Sequence, residues 1–455
     1  MGTRMRVFPM KHLQILVACV AGLFGGGAAL ASVAEDAVRA DINGIDVIIV
    51  RTDVKDVVTI AGSLRAGDDR SPPGNSALAT LTGEMLDQGT TKQDKFAIAQ
   101  TLGSVGAMLS FGVGASTLQL GGKCLRKDLP LLVSLMAEQL RDPAFSEAEF
   151  AKQKKQIEGG VRQQLEDPDF RASDAFSRAI FPPGHPNRQP SPEQFLADMG
   201  KTSVADLKQF HSQYYGPTGM RLVIVGDMDP AAVQAEIRKA FAGWSGGSIP
   251  PAVAKAPALS AARTETIFMP DKPSVSVVMG QPTGLQYSDP DALPLRLGTR
   301  ILGSGGFTSR LMATVRDKEG LTYGIASFLT DDTFADGAWS AQASFAPNML
   351  DQGLASTRRE LESWRNDGVT DAELARAKTE LAGTYQVGLA TSGGLAGAIL
   401  VMLNRGMPLS FVDEYPKRIA AMTREEVNGA IKRHIDPGKL VLVKAGTVEK
   451  AAAGK

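Results

Sequence analysis

The residues whose types and spacing could do chemistry are Arg316 and Tyr323, in the stretch Gly303–Ile325, which reads GSGGFTSRLMATVRDKEGLTYGI. A guanidinium and a phenol are both hydrogen-bond donors. Aimed at one point, they can hold the oxygen of a polarised carbonyl, which is the work of an oxyanion site. Gly303, Gly305 and Gly306 lead into a helix-forming run from Thr308 to Lys318, with Leu311, Met312 and Val315 on one face. Gly320 stands where a C′ glycine would end the helix, and Leu321-Thr322-Tyr323 begins a strand. Arg316 thus falls in the last helical turn and Tyr323 just beyond it. The plainer alternative is an arginine at a helix C-terminus and a tyrosine packed in a strand. The glycines could also suggest phosphate binding, but the Gly-Lys-Ser/Thr of a P-loop is absent.

The run SRLMATVRDKEGLTY resembles the C-terminal-domain signature of the pitrilysin/insulinase family of zinc peptidases, which includes the mitochondrial processing peptidases. Phe210-His211-Ser212-Gln213-Tyr214-Tyr215-Gly216-Pro217 and Val223-Ile224-Val225-Gly226-Asp227 are similar to phrases of the same family. The resemblance implies an α+β fold of two homologous, duplicated domains forming half of a clamshell. It also implies that Arg316 and Tyr323 grip a substrate peptide beside a zinc ion.

Active members carry His-x-x-Glu-His on the first long helix, where two histidines bind zinc from one face and the glutamate activates water. Counting back from Gly89-Thr90 in NSALATLTGEMLDQGT puts Thr80, Gly83 and Glu84 at those three positions. None matches. The distal glutamate ligand falls at Glu158–Gly160, with Gly160 aligned and Glu158 nearby. The chain holds 4 histidines, His12, His185, His211 and His434, and no two have metal-ligand spacing. They read as surface or structural residues. No zinc is therefore expected on this chain, and without ligands no water is activated. Glu84 alone reads as a solvated or cavity-lining carboxylate, on a helix whose opposite face presents Leu78, Leu81 and Leu86.

The 455 residues suffice for two to four domains, and 43% hydrophobic with 22% charged residues is ordinary for a globular protein. Basic and acidic residues number 49 each, which gives no support to nucleic-acid binding. Residues 1–31 read as a secretory signal peptide. Arg4, Arg6 and Lys11 precede an apolar run from Leu13 to Phe24, and Ala29-Leu30-Ala31 offers a small–x–small cleavage pattern before Ser32. The expected destination is the periplasm, with no transmembrane anchor after cleavage. Leu16-Val17-Ala18-Cys19 resembles a lipoprotein box, but Cys19 lies inside the apolar run, so ordinary cleavage is favoured. Cys124 would then be the one cysteine left, without a disulfide partner.

The elements that must position the pair come as a repeat. Residues 246–262, GGSIPPAVAKAPALSAA, read as a linker between an N-terminal domain over 36–245 and a C-terminal domain over 263–450. Ser146–Lys152 matches Thr370–Arg376 at an offset of 224, and both read as capping boxes. Ser203, Pro217 and Gly226 match Thr423, Pro437 and Gly446 at an offset of 220. Each half opens with strand-like segments (Ile45–Val50 and Val57–Leu64; Val275–Met279). A long helix, a hairpin region such as Leu109–Leu120, further helices and a closing strand follow (Arg221–Gly226; Leu440–Val443). Helices on one layer and strands on the other are expected.

Retention of Arg316 and Tyr323 without the zinc motif points to a non-catalytic subunit. A homologous partner carrying His-x-x-Glu-His would bring zinc, and this chain would complete the peptide site in trans. The alternative is an inert structural or peptide-binding scaffold on the same fold.

Overall fold

A computed structural model describes residues 32–448; the signal-like segment 1–31 with Cys19, and residues 449–455, lie outside the described residues. Two mixed sheets form its framework. The first contains β1 (Ala37–Ile42), β2 (Ile45–Arg51), β3 (Val57–Leu64), β4 (Met108–Val113), β5 (Leu118–Leu125) and β6 (Arg221–Gly226), in the order β1-β2-β6-β3-β5-β4. The second contains β7 (Arg263–Phe268), β8 (Val275–Pro282), β9 (Thr322–Leu329), β10 (Ala338–Phe345) and β11 (Val441–Gly446), in the order β7-β11-β8-β10-β9. With the edge strand β1 set aside, the two orders are the same. Each has a single parallel pair, β2 with β6 and β7 with β11, among antiparallel neighbours. The fold is thus a duplicated α+β unit.

Alternation along the strands divides the apolar residues between two faces. On the first sheet Val47, Ile49, Leu222 and Ile224 pack with helices Leu129–Arg141 and Val204–Tyr214 of the same half. Ile48, Val50, Val223 and Val225 face the other way, into a cluster that contains Leu395, Ala396 and Ile399. Those three belong to helix Ser392–Asn404 of the second half, which lies on β3 and β6. The reciprocal contact is made by helix Pro168–Ile180 of the first half on β8 and β11, through Ala172, Phe176, Val278 and Val443. These two helices start 224 residues apart, the offset of the sequence repeat. Each half therefore lends one helix to the other's sheet. The expected two layers become three wherever a borrowed helix lies.

Helices begin after both Ser146 and Thr370, as expected, but only one of these two expected capping boxes forms. Thr370, Ser203 and Thr423 form capping boxes. Ser146 does not, because its partner Glu149 turns to Lys95 at 2.5 Å and Lys152 at 2.7 Å. The long helix expected after β3 is only seven residues, Leu78–Glu84. The segment 248–261 has no regular structure, but it is fastened at Ala256, whose N–H donates to both Asp336 carboxylate oxygens at 3.1 and 3.2 Å. Among the described residues no single helix is long and apolar enough to cross a membrane.

Candidate functional site

The stretch around Arg316 is more tightly wound at its start and looser at its end than an α-helix. A 3-10 turn covers Gly306–Thr308, and Met312–Lys318 forms a π-helix in place of the expected α-helical run. The wide turn closes when Glu319 N–H donates to Thr314 O at 3.0 Å and Gly320, at φ +65°, donates to Arg316 O at 2.9 Å. π-turns inside helices often mark functional sites. Leu311 and Val315 are fully buried and hold the helix down, while the Arg316 side chain stays 27% exposed.

The structure brings the two sequence-selected residues together. The guanidinium carbon of Arg316 lies 5.5 Å from the centre of the Tyr323 ring. Tyr323 is the first outward-pointing residue of the edge strand β9 and is 90% exposed. Sequence reasoning missed a third member. Phe307 places its ring centre 4.7 Å from the same guanidinium carbon. The only signal for it was a large aromatic amid glycines. The nearest carboxylate is that of Asp317, which accepts from Arg316 Nη1 at 3.1 Å. Beside this stack the open part of the second sheet forms a groove of about 530 Å³, lined by Gly303, Phe307, Gly324, Ala326, Phe328 and Ser344. Gly303 is needed for packing rather than for phosphate binding: a Cβ there would lie 2.4 Å from Ser327 N.

The three positions of the zinc motif are occupied differently, and they do not fit a metal. The Thr80 hydroxyl donates to Asp68 Oδ1 at 2.9 Å. Gly83 carries no donor, and a Cβ on it would lie 2.3 Å from Val113 Cγ2. Glu84 is exposed; partial desolvation, and then Asp87, raise its carboxyl above the ordinary range. At the distal position Glu158 accepts from Arg162 Nε and Nη2 at 3.0 and 2.7 Å, and Gly160 is bare and exposed. Among the described residues no group of three or more His, Cys, Asp or Glu side chains could hold a metal ion.

The histidines serve the fold. His185 is buried between the halves: Nδ1 accepts from the Asn187 N–H at 3.1 Å, which leaves Nε2–H to donate to Asp336 Oδ1 at 3.1 Å. Its ring stacks on Phe181 with centroids 4.4 Å apart. His211 Nε2 donates to Leu140 O at 2.8 Å, and burial lowers its pKa. His434 bridges Thr283 O and Asp291 Oδ2 at 3.0 and 2.8 Å. Cys124 is a buried free thiol, pushed up to about 11 by desolvation and by Asp128.

Residues 46–183 match the insulinase (peptidase family M16) model, and residues 201–381 match that of the peptidase M16 inactive domain. The chain belongs to the insulinase family. It is 27% identical over 373 residues to an uncharacterized zinc protease of Streptomyces coelicolor, covering 80% of this chain and 79% of that one. It is 23% identical over 383 residues to the non-peptidase homolog YmxG of Helicobacter pylori, covering 82% of this chain and 85% of the other. A crystal structure of a peptidase M16 inactive domain from Pseudomonas fluorescens superposes with a TM-score of 0.84 at 25% identity, over 90% of this chain and 98% of that chain. A protease from H. pylori superposes at 0.82 with 20% identity, over 90% and 99%. Together with Thr80, Gly83 and Glu84 at the motif positions, these likenesses support a non-catalytic member of the insulinase family.

Proposed function

We propose that this insulinase-family chain is the substrate-binding subunit of a heteromeric, exported zinc peptidase of the periplasm. In this reading Arg316 and Tyr323 complete, in trans, the active site of a homologous chain that carries His-x-x-Glu-His and zinc. The observation that carries the reading is a contrast within one chain. Arg316 and Tyr323 lie together, with the tyrosine 90% exposed, while the position of the water-activating glutamate is a glycine pressed against Val113. A scaffold needs neither an exposed tyrosine beside an arginine nor an open groove next to it.

The pair's chemistry follows from donor geometry. The Tyr323 hydroxyl and the Arg316 guanidinium edge can both donate to the oxygen of a peptide carbonyl, which gains negative charge as the carbonyl is attacked. The groove along β9 gives an extended peptide room beside that point.

The test is to mix this chain with the zinc-bearing homologue and to measure complex formation and peptide cleavage separately. Tyr323→Phe removes one hydroxyl and almost no volume. Loss of one such donor typically lowers turnover ~100- to 1,000-fold. Normal assembly with that drop supports the trans site. Wild-type cleavage by both the Tyr323→Phe and Arg316→Ala complexes would sink it and leave the scaffold reading.

A further inference from the structure

Phe307 keeps 66% of its surface in water, although a phenyl ring has no polar group to justify that exposure. Its placement is nonetheless firmly imposed. Gly305 N–H donates to Arg300 O at 2.8 Å, and Gly306 takes φ +69°, a left-handed turn that suits glycine. After the ring, Ser309 Oγ donates to Gly306 O at 2.7 Å, and Arg376 Nη2, from helix Asp371–Leu389, donates to Thr308 O at 3.2 Å. The turn that carries Phe307 is thus tied on both sides to the framework. What the ring meets is the guanidinium of Arg316, at 4.7 Å from its centroid.

Arginine has a long side chain with large rotamer freedom, and a donor that must be found by search is a poor oxyanion donor. Among the described residues the one side-chain hydrogen bond of Arg316 is to its neighbour Asp317, which is itself half exposed. Stacking on an aromatic face restrains the guanidinium plane while leaving its N–H edge free, because the cation–π attraction uses the face and the hydrogen bonds use the edge. We infer that Phe307 is a positioning residue for Arg316. It forms with Tyr323 a two-ring clamp that presents the guanidinium edge toward the β9 groove. The inference rests on the proposed role of Arg316 for its consequence in turnover, but not for the clamp itself.

The clamp is tested on the isolated chain and then in the complex. The Arg316 Nε–Hε resonance, assigned from its loss in Arg316→Lys, should show the ring-current displacement of a stacked guanidinium. Phe307→Leu should return it toward the position of free arginine, and Phe307→Tyr should keep it displaced. An unchanged resonance in folded Phe307→Leu would overturn the inference. In the complex with the zinc-bearing homologue, Phe307→Leu should lower kcat about fivefold with KM unchanged, as expected for loss of one exposed cation–π contact. Phe307→Tyr should restore it. A changed resonance with an unchanged kcat, where Arg316→Ala does slow cleavage, would overturn the positioning role. If Arg316→Ala itself has no effect, the resonance alone decides the clamp, and the trans-site reading fails if Tyr323→Phe has none either.

Discussion

The Thr80 hydroxyl donates to Asp68 Oδ1 at 2.9 Å, so a site that would hold a zinc-binding histidine in an active insulinase instead satisfies a desolvated carboxylate. Burial raises the Asp68 carboxyl to about 6, with Asp69 adding to the rise and the Thr80 hydrogen bond opposing it.

That shift sets a pH dependence. Unfolded aspartate titrates near about 4, so the native state binds this proton more tightly. Its contribution favours folding at low pH and is withdrawn as pH rises from about 4 through about 6. Asp68→Asn keeps an acceptor for Thr80 and should stabilise the protein near neutral pH by roughly 1–3 kcal/mol, with little gain at about pH 4. Urea unfolding at both pH values measures it. Equal effects at the two would contradict the assignment.

Gly83 should resist every side chain. A Cβ would meet Val113 Cγ2 at 2.3 Å, and overpacking of this kind costs about 1–3 kcal/mol. Gly83→Ala should lower the melting temperature, and Val113→Ala should recover part of the loss in the double variant. A chain with Thr80→His, Gly83→Glu and Glu84→His together should be destabilised and hold no stoichiometric zinc by elemental analysis.

Asp336 is the clasp between the linker and both halves. It accepts from Ala256 N–H and from His185 Nε2 while almost wholly buried. Asp336→Ala would orphan both donors, at about 2–4 kcal/mol. Limited proteolysis should cut the wild type on the exposed flanks of Ala256, at 251–255 and 257–262, and cut the variant faster there. Identical digestion rates would show that the linker is held by other contacts.

Asp413 gathers the described N-terminus. Its carboxylate accepts from Ser32 Oγ, Val33 N–H and Ala34 N–H, each at 3.0 Å. Asp413→Ala should cost about 1–3 kcal/mol in a chain beginning at Ser32. Faster amide exchange should be confined at first to Val33–Asp36.

Much of this architecture is written in local pattern. β3 and β6 occupy the spans expected from apolar runs between turn residues, and Gly320 caps where a left-handed residue was needed. The duplication shows in capping residues because a helix start is chosen by near neighbours in the chain. The remainder depends on residues distant in sequence. Whether Glu149 returns to Ser146 or turns to Lys95 depends on a side chain 54 positions away. The spacing of Ala172 and Phe176 shows that a helix has an apolar face but not whose sheet it will cover. Phe307 meets Arg316 where Met312–Lys318 winds as a π-helix, which has no local signature. The burial of His185 was not legible because its partner, Asp336, is contributed by the other half.

The exchange of helices Pro168–Ile180 and Ser392–Asn404 also orders events in time. Strands β3 and β6 are complete once residue 226 is made, yet the outer face of their sheet is covered only when residues 392–404 exist. A nascent chain must hold that apolar face open through well over a hundred further residues, and closing so distant a contact is slow. The first half expressed alone should accordingly expose Ile48, Val50, Val223 and Val225 and depend on a holdase, whereas adding the second half as a separate polypeptide should relieve both. Native assembly is thus gated by completion of the polypeptide, and the half-made chain remains unfinished enough to be threaded or captured.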